Sequence, residues 1–593
     1  MHKRLFFLAV LIFICAYGFA QSSKITAKEL QNIVEFLASD SLKGRKTGTA
    51  ENNIAAAYIL KQFTNNKLRP LADNGFQYFE ILADVVLGSK NKLVINDFEG
   101  ILKNDFVPLA FSSSGELTAE VIFGGYGFDI DLDSIKWNDY EGLDIKGKWV
   151  MILRDDPELD NSESKFIPFS NIRNKLLMAK DNGVAGVLLV TPKGSDKEDK
   201  LMPMVVESNE ITSGIPVINI KREIADRLLI RTGFTIDSLE SILVGKKAPM
   251  SLNTGVTLSG SVDLIRRNEK TANIIALLES RDPVYKDEYL IVGAHYDHLG
   301  FGGPGSGSRT PDTNAIHNGA DDNASGTALI IELSKRLAAE KKHLKRSIIF
   351  VAFSGEEIGL LGSKYFVNHP PVEITKMKAM FNFDMVGRFD KEKQSISISG
   401  TGTSLEAEPI LSMQEAELPF KVVHSSDGYG PSDHAAFYAS NIPVFYFSTG
   451  AHTDYHTPFD DTKKLDFATE KIIGDFAAKV ILAIDSMDQP LTFKESGKKS
   501  VGGRSGRKLR VTLGILPDFA GAEKKGLRVD GVTKDGPADR GGIKKSDIIT
   551  EINGMSVGNI YDYMSRLSKL KQGTIISVEV IRDGKNEILL IQL

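Results

Sequence analysis

The chain has 593 residues, 42% of them hydrophobic and 25% charged, with a formal net charge of -5. That is too long for a single core, so three or four structural units are expected, and the slightly acidic balance gives no reason to expect nucleic acid as a partner. The single cysteine is Cys15; disulfides, thiolate ligands and a cysteine nucleophile are excluded from any mature chain that lacks it.

The first twenty residues stand apart. His2, Lys3 and Arg4 precede an apolar stretch from Leu5 to Phe19, and Gly18-Phe19-Ala20 offers small residues ahead of Gln21. This predicts a secretory signal peptide over 1–20, cleaved after Ala20, and a periplasmic or secreted protein. A lipoprotein signal would place its cysteine after a small residue, whereas Cys15 follows Ile14. No second apolar run is long enough to cross a bilayer, so no stable membrane span is expected once the signal is removed.

Thr26-Ala27-Lys28-Glu29 has the form of a capping box, and Leu30, Ile33, Val34 and Leu37 follow at helical spacing. After the turn-rich Gly44–Gly48 a second helix is predicted over Glu51–Phe63, and this whole region reads as packing rather than chemistry. From about Val107 to Met250 the texture changes. Strands are predicted at 120–123, 149–153 and 186–190 and a further run at 216–220, with a helix over Asn171–Asp181 closed by Gly183. Gly124-Gly125-Tyr126-Gly127, Trp137-Asn138-Asp139-Tyr140 and Lys146-Gly147-Lys148 together resemble a protease-associated domain. In exopeptidases that resemblance implies a non-catalytic lid or wall; a plain structural insert is the alternative.

The ligand-type residues gather between Ile291 and Asp384. The apolar run 289–294 leads into His295-Tyr296-Asp297, 347–353 into Glu356-Glu357, and 379–383 into Asp384. Asn318-Gly319-Ala320-Asp321-Asp322-Asn323 opens a helical pattern over Thr327–Leu337. Short apolar runs alternating with helices predict βαβ units and a mostly parallel sheet, whose ligand site lies beyond the carboxyl ends of the strands. So many carboxylates at one edge would repel one another. A metal is called for, and oxygen and imidazole donors suit zinc, manganese or cobalt. A histidine with an aspartate two residues on suggests a ligand and the carboxylate that orients it. Asp321 is positioned to bridge two ions, and of the paired glutamates one can bind metal while the other handles protons. A second histidine is wanted from His452 or His456.

His295-Tyr296-Asp297, Gly319-Ala320-Asp321-Asp322-Asn323-Ala324-Ser325-Gly326, Glu356-Glu357, Asn382-Phe383-Asp384-Met385, Ser432-Asp433-His434 and Tyr455-His456-Thr457-Pro458 resemble, in order, the co-catalytic dizinc aminopeptidase family. Bacterial leucyl aminopeptidase belongs to it and glutamate carboxypeptidase II is related. The resemblance implies a three-layer α/β/α zinc exopeptidase domain with a mostly parallel mixed sheet. It also implies two Zn2+, one held by His295, Asp321 and Asp384 and the other by Asp321, Glu357 and His456, with Asp297 orienting His295. Glu356 is then the general base for a metal-bridged hydroxide that attacks the peptide carbonyl. Tyr429 or Tyr455 would stabilise the carbonyl oxygen. His298, His317 and His434 are expected as hydrogen-bonded supports, and His452 as a loop residue. Gly300–Gly307 lacks the lysine and spacing of a phosphate-binding loop and reads as a flexible loop beside the site.

Residues 487–507 have linker composition. Leu513-Gly514-Ile515-Leu516-Pro517, Gly536–Ile543 and Glu551-Ile552-Asn553-Gly554 resemble a PDZ domain. In that family the loop at 513–515 captures a peptide or protein C-terminus, while docking onto its own catalytic domain is the other reading. The expected layout is a signal peptide at 1–20, peptidase segments at 21–106 and 251–486, the β-rich protease-associated insert at 107–250, a linker at 487–507 and the PDZ domain at 508–593. The expected activity is removal of N-terminal residues from peptides. Glutaminyl cyclisation, carboxypeptidase action and a non-catalytic binding protein on the same fold are the competing readings.

Overall fold

The computed structural model describes residues 24–132, 135–159, 161, 163–206, 212–496, 511–517, 525–532 and 536–593. The expected signal peptide, Cys15 and residues 497–507 of the expected linker lie outside them. Among the described residues no helix is long and apolar enough to cross a membrane. The described residues form two compact units, one drawn from within 1–79 and 271–498 and one from within 80–270 and 499–593.

The first unit is built on a mixed sheet. Its strands run, edge to edge, Arg69–Pro70, Leu264–Leu278, Ser347–Phe353, Tyr289–His295, Met377–Phe383, Val444–Ser448, Ser395–Ser399 and Lys421–Ser425. Tyr289–His295 lies parallel to both Ser347–Phe353 and Met377–Phe383, and Val444–Ser448 parallel to the latter. Leu264–Leu278 is antiparallel to Ser347–Phe353. The central strands read as unbroken apolar runs because both faces are covered. Leu290, Val292, Ile348, Phe350 and Ala352 point into a core shared with helices Ala27–Leu37, Ala50–Asn65, Gly326–Ala339 and Phe467–Asp485. Ile291, Ile349, Val351 and Phe353 point into the opposite core, closed by Phe366 and Phe437 of Leu361–Asn368 and His434–Tyr438. This is the expected three-layer arrangement. Helix starts follow their caps: Thr26 Oγ1 accepts the Glu29 amide at 3.2 Å and donates to the Glu29 carboxylate at 2.7 Å, leaving fewer bare amides in the first turn.

In the second unit, Trp149–Leu153, Gly186–Val190 and Val217–Ile220 are parallel neighbours. Phe98–Glu99, Lys92–Ile95, Ser251–Val262 and Gly115–Gly124 extend that sheet on one side and Phe106–Pro108 on the other. It therefore draws strands from beyond 107–250 at both ends. A separate sheet of Ile515–Pro517, Leu527–Val532, Ile548–Ile552, Ile575–Arg582 and Lys585–Gln592 surrounds Leu513, Val529, Ile549, Val578 and Val580. From helix Ile560–Ser568 the fully buried Arg566 donates to both carboxylate oxygens of Asp181, in helix Ile172–Asp181.

Candidate metal centre and active site

Three parallel strands deliver their groups at one edge. His295 is the last residue of Tyr289–His295, Asp384 follows Phe383, and Glu356-Glu357 follow the turn after Phe353. The loop before helix Gly326–Ala339 supplies a further carboxylate, and the 452–460 loop supplies His456. His295 Nε2 is 3.3 Å from Asp322 Oδ1 and 3.4 Å from Asp384 Oδ1. His456 Nε2 is 3.1 Å from Asp322 Oδ2 and 3.1 Å from Glu357 Oε2. Asp322 thus presents one oxygen to each histidine.

The carboxylate set between the two histidines is therefore Asp322 and not Asp321, the residue expected to bridge two ions. Asp322 has extended backbone angles, φ -104° and ψ 94°, and in extended chain adjacent side chains point to opposite sides. Asp321 faces away: its Oδ1 accepts from the Gly387 amide at 2.7 Å and from Ser325 Oγ at 3.1 Å, and its Oδ2 is 3.3 Å from His452 Nε2. His452, expected as a loop residue, is largely buried against it. Asp460 fastens the same loop, its carboxylate accepting the amides of Asp321 at 2.9 Å and Asp322 at 3.0 Å. Gly319 is required at the bend. It has φ +55°, and a Cβ there would overlap the Asp322 carbonyl and the His298 ring.

The donor set fits a metal. His456 Nδ1 faces the Gly307 carbonyl at 3.0 Å and His295 Nδ1 faces the Asp297 carbonyl at 3.3 Å. Each contact places a proton on Nδ1 and turns Nε2 toward carboxylates, where a metal ion or a second proton must stand between them. The separations at His295, 3.3 and 3.4 Å, match the edges of a tetrahedron around zinc, about 3.3–3.6 Å for bonds of about 2.0–2.2 Å, and those at His456, 3.1 Å, fall just below it. Electrostatics point the same way. Burial alone would lower the His456 imidazole, but Asp322 and Glu357 outweigh it and push it up to about 11. At His295 burial is likewise overcome, by Glu356, Asp384 and Asp322.

Glu356 lies farther from His295 than the two aspartates do, its Oε2 4.0 Å from His295 Nε2 against 3.3 Å for Asp322 and 3.4 Å for Asp384. Burial, with the like charges of Glu357, Asp384 and Asp433 working against His295, holds its carboxyl well above the ordinary range. Asp297 Oδ1 accepts the Glu356 amide at 3.2 Å and its Oδ2 accepts from Thr47 Oγ1 at 2.7 Å. Its backbone carbonyl is nearer to His295 Nδ1 than its carboxylate, which is 3.8 Å away. His298 Nδ1 lies 2.5 Å from Glu357 Oε1 but 3.9 Å from Asp322, so it supports Glu357, whereas His456 reaches both carboxylates. Residues of ligand type therefore cluster as His295, Glu356 and Asp384, and as His298, Asp322 and Glu357, with His456 completing the second group by distance.

The two tyrosines separate. The Tyr455 ring stacks on His456 at 3.8 Å, and burial followed by the charges of Asp322, Glu357, Glu356 and Asp384 raises its hydroxyl pKa. Tyr429 packs edge-on against Tyr438 at 4.6 Å, and its hydroxyl is raised by burial, Tyr438 and Glu495 without any of those carboxylates. His317 bonds Ser308 and the Ala315 carbonyl. Buried His434 stacks on Tyr446 at 4.4 Å.

Sequence reasoning gave no role to four groups around this centre. Burial, then the charges of Asp384, Glu356 and Asp322, raises the Tyr446 hydroxyl, and buried Asp433 is raised to about 7 by burial within reach of His295, Asp297 and Asp384. Arg45 and Thr47, in a stretch read as packing, reach the loops that carry the ligands. Of these only Asp433 carried a signal, since it stands inside the Ser432-Asp433-His434 motif.

Residues 273–481 match peptidase family M28, and residues 511–593 match the PDZ domain. The chain is 26% identical over 391 residues to aminopeptidase YwaD of Bacillus subtilis (strain 168), covering 64% of this chain and 70% of that protein. It is 30% identical over 210 residues to a probable leucine aminopeptidase of Arthroderma otae, covering 33% of this chain and 53% of that protein, so it spans about half the length of that fungal relative. A solved structure, the aminopeptidase from Aneurinibacillus sp. strain AM-1, is 20% identical, with 80% of this chain and 96% of that one covered at a TM-score of 0.47. With its strand-end carboxylates and histidines in place, the segment 273–481 belongs to peptidase family M28, the protein is a peptide hydrolase, and a PDZ domain follows in the same chain.

Proposed function

We propose that this protein is an exported, zinc-dependent aminopeptidase that removes N-terminal residues from peptides. His295, Asp322 and Asp384 would hold one ion and Asp322, Glu357 and His456 a second. When bound, the metal supplies a nucleophile at neutral pH and polarises the scissile carbonyl. Glu356 accepts a proton at Oε and later returns it to the leaving amine; its burial and the crowding of carboxylates give it the raised affinity that exchange needs. The Asp297-bonded amide fixes where that carboxylate starts. Tyr455, beside His456 and within the field of the four carboxylates, donates to the carbonyl oxygen as it gains charge. The aminopeptidase names of the Bacillus and fungal relatives support cleavage at the amino end. The basic and apolar pattern of 1–20 supports export, and the loop at Leu513–Ile515 would take a peptide carboxylate.

The reading rests on Asp322 offering one oxygen to each histidine while Glu356 stands farther from His295, at 4.0 Å. It is tested by Glu356→Gln with metal content, assayed on free and N-blocked peptides. We expect full zinc, a loss of kcat of about 10²–10⁴-fold and no cleavage of blocked substrates by the parent. Surviving turnover in Glu356→Gln, or cleavage of blocked peptides from the carboxyl end, would overturn it.

A further inference from the structure

Arg45 is fully buried and carries the charge of a guanidinium. Among the described residues it forms no ion pair with a carboxylate. Its Nε donates to the Tyr296 carbonyl at 2.8 Å, its Nη1 to the carbonyls of Leu37 at 2.8 Å and Asn318 at 2.5 Å, and its Nη2 to that of Gly319 at 3.0 Å. Tyr296 stands next to His295, and Gly319 lies on the loop that carries Asp322. One rigid, planar fork thus joins the end of a sheet strand to a separate loop. The two groups it joins would share an ion.

Neighbouring contacts reinforce the junction. The Arg45 carbonyl accepts from Asn52 Nδ2 at 3.1 Å and from the His298 amide at 3.3 Å. The Gly300 amide donates to Gly44, whose φ of +70° and tight approach to the His317 and Gly300 carbonyls leave no room for a Cβ. Thr47 Oγ1 donates to Asp297, whose other oxygen holds the Glu356 amide. The segment therefore touches the surroundings of His295, Asp322 and Glu356 without offering a donor atom to any of their side chains.

Burying an unpaired cation is costly unless something compensates it. Here Asp322, Asp297, Asp460 and Glu357 supply that compensation at longer range. The benefit is mutual, since the same charge eases the crowding of carboxylates that repel one another. A residue needed only to close a turn could be smaller and neutral.

We propose that the 44–48 segment is a brace for the metal centre, with Arg45 a positioning residue that sets the spacing of His295 from Asp322 and Thr47 one that orients Asp297 and through it Glu356. The inference rests on the metal reading above. It is tested on the full chain with Arg45→Lys, which keeps the charge but not the fork, and with Thr47→Val, which keeps the shape. The readouts are zinc affinity by chelator competition, the absorption spectrum of the cobalt-loaded protein and the melting temperature of the metal-free protein. The expected result is about 10–100-fold weaker zinc binding in Arg45→Lys with an altered cobalt spectrum, and a shifted pH profile of kcat in Thr47→Val with KM unchanged. Zinc affinity and cobalt spectrum equal to the parent would overturn the role of Arg45, and so would a lowered metal-free melting temperature as the sole change. If Arg45→Lys does not fold, Thr47→Val decides: a pH profile identical to the parent overturns the brace. A parent that binds no zinc would instead overturn the metal reading itself.

Discussion

Exchanging the two adjacent aspartates for asparagine, one at a time, probes the centre most directly. In Asp322→Asn the amide oxygen can face one histidine, but the NH2 then faces the other, where an oxygen lies 3.1–3.3 Å from Nε2 in the parent. An NH2 has no lone pair to give, so one ion of the proposed pair would lose one of its three side-chain donors. Loss of an outer hydrogen-bond partner already weakens metal binding about 10–100-fold, so loss of a donor is expected to exceed about 100-fold, or about 2.7 kcal/mol at 1.36 kcal/mol per decade. Asp321→Asn keeps an oxygen for the Gly387 amide and Ser325 and gives up only the contact with His452. Its expected cost is about 1–2 kcal/mol of stability, with zinc affinity within about tenfold of the parent. Competition against a chromophoric chelator, together with metal content per chain, measures both. If Asp321→Asn lost an ion while Asp322→Asn kept both, the assignment of the bridge would be refuted.

Tyr455→Phe is expected to lower kcat by about 100-fold, the scale of one lost donor to a developing oxyanion, while Tyr429→Phe stays within about threefold; equal effects in steady-state assays would remove Tyr455 from the mechanism. Phe350→Ala, at a fully buried position 5.9 Å from the Phe63 ring, is expected to cost about 3–5 kcal/mol in urea unfolding, and a loss below about 1 kcal/mol would contradict the packing. His434 is held down at about 3 by burial, against about 6.5 in the unfolded chain, so the folded protein binds fewer protons between those values. Its contribution is complete above about pH 6.5 and declines as the pH falls, by about 1.4 kcal/mol per unit. Metal-free His434→Phe should therefore lose about 2 kcal/mol less than the parent between pH 6.5 and 5.0; identical losses would show that His434 is not buried neutral.

The sequence by itself determined the layers and the edge at which chemistry happens. Runs such as 290–294 and 348–353 are apolar at every position because both faces of a parallel strand are covered, and a polar residue soon after such a run lies at the strand's end. His295, Glu356, Glu357 and Asp384 were legible for that reason. Which of two adjacent aspartates turns inward was not, because it depends on the backbone angles of the loop at Asp322 and on the Asp460 carboxylate holding two of its amides. The same holds for Tyr455 against Tyr429: both are tyrosines in plausible motifs, and only the packing of one on His456 and the other on Tyr438 separates them. Arg45 lay hidden most deeply. Its partners are backbone carbonyls some 250 residues or more further along the chain, apart from Leu37, and carbonyls are common to every residue, so no pattern of side chains announces them; tertiary folding alone brings them into one plane around a guanidinium.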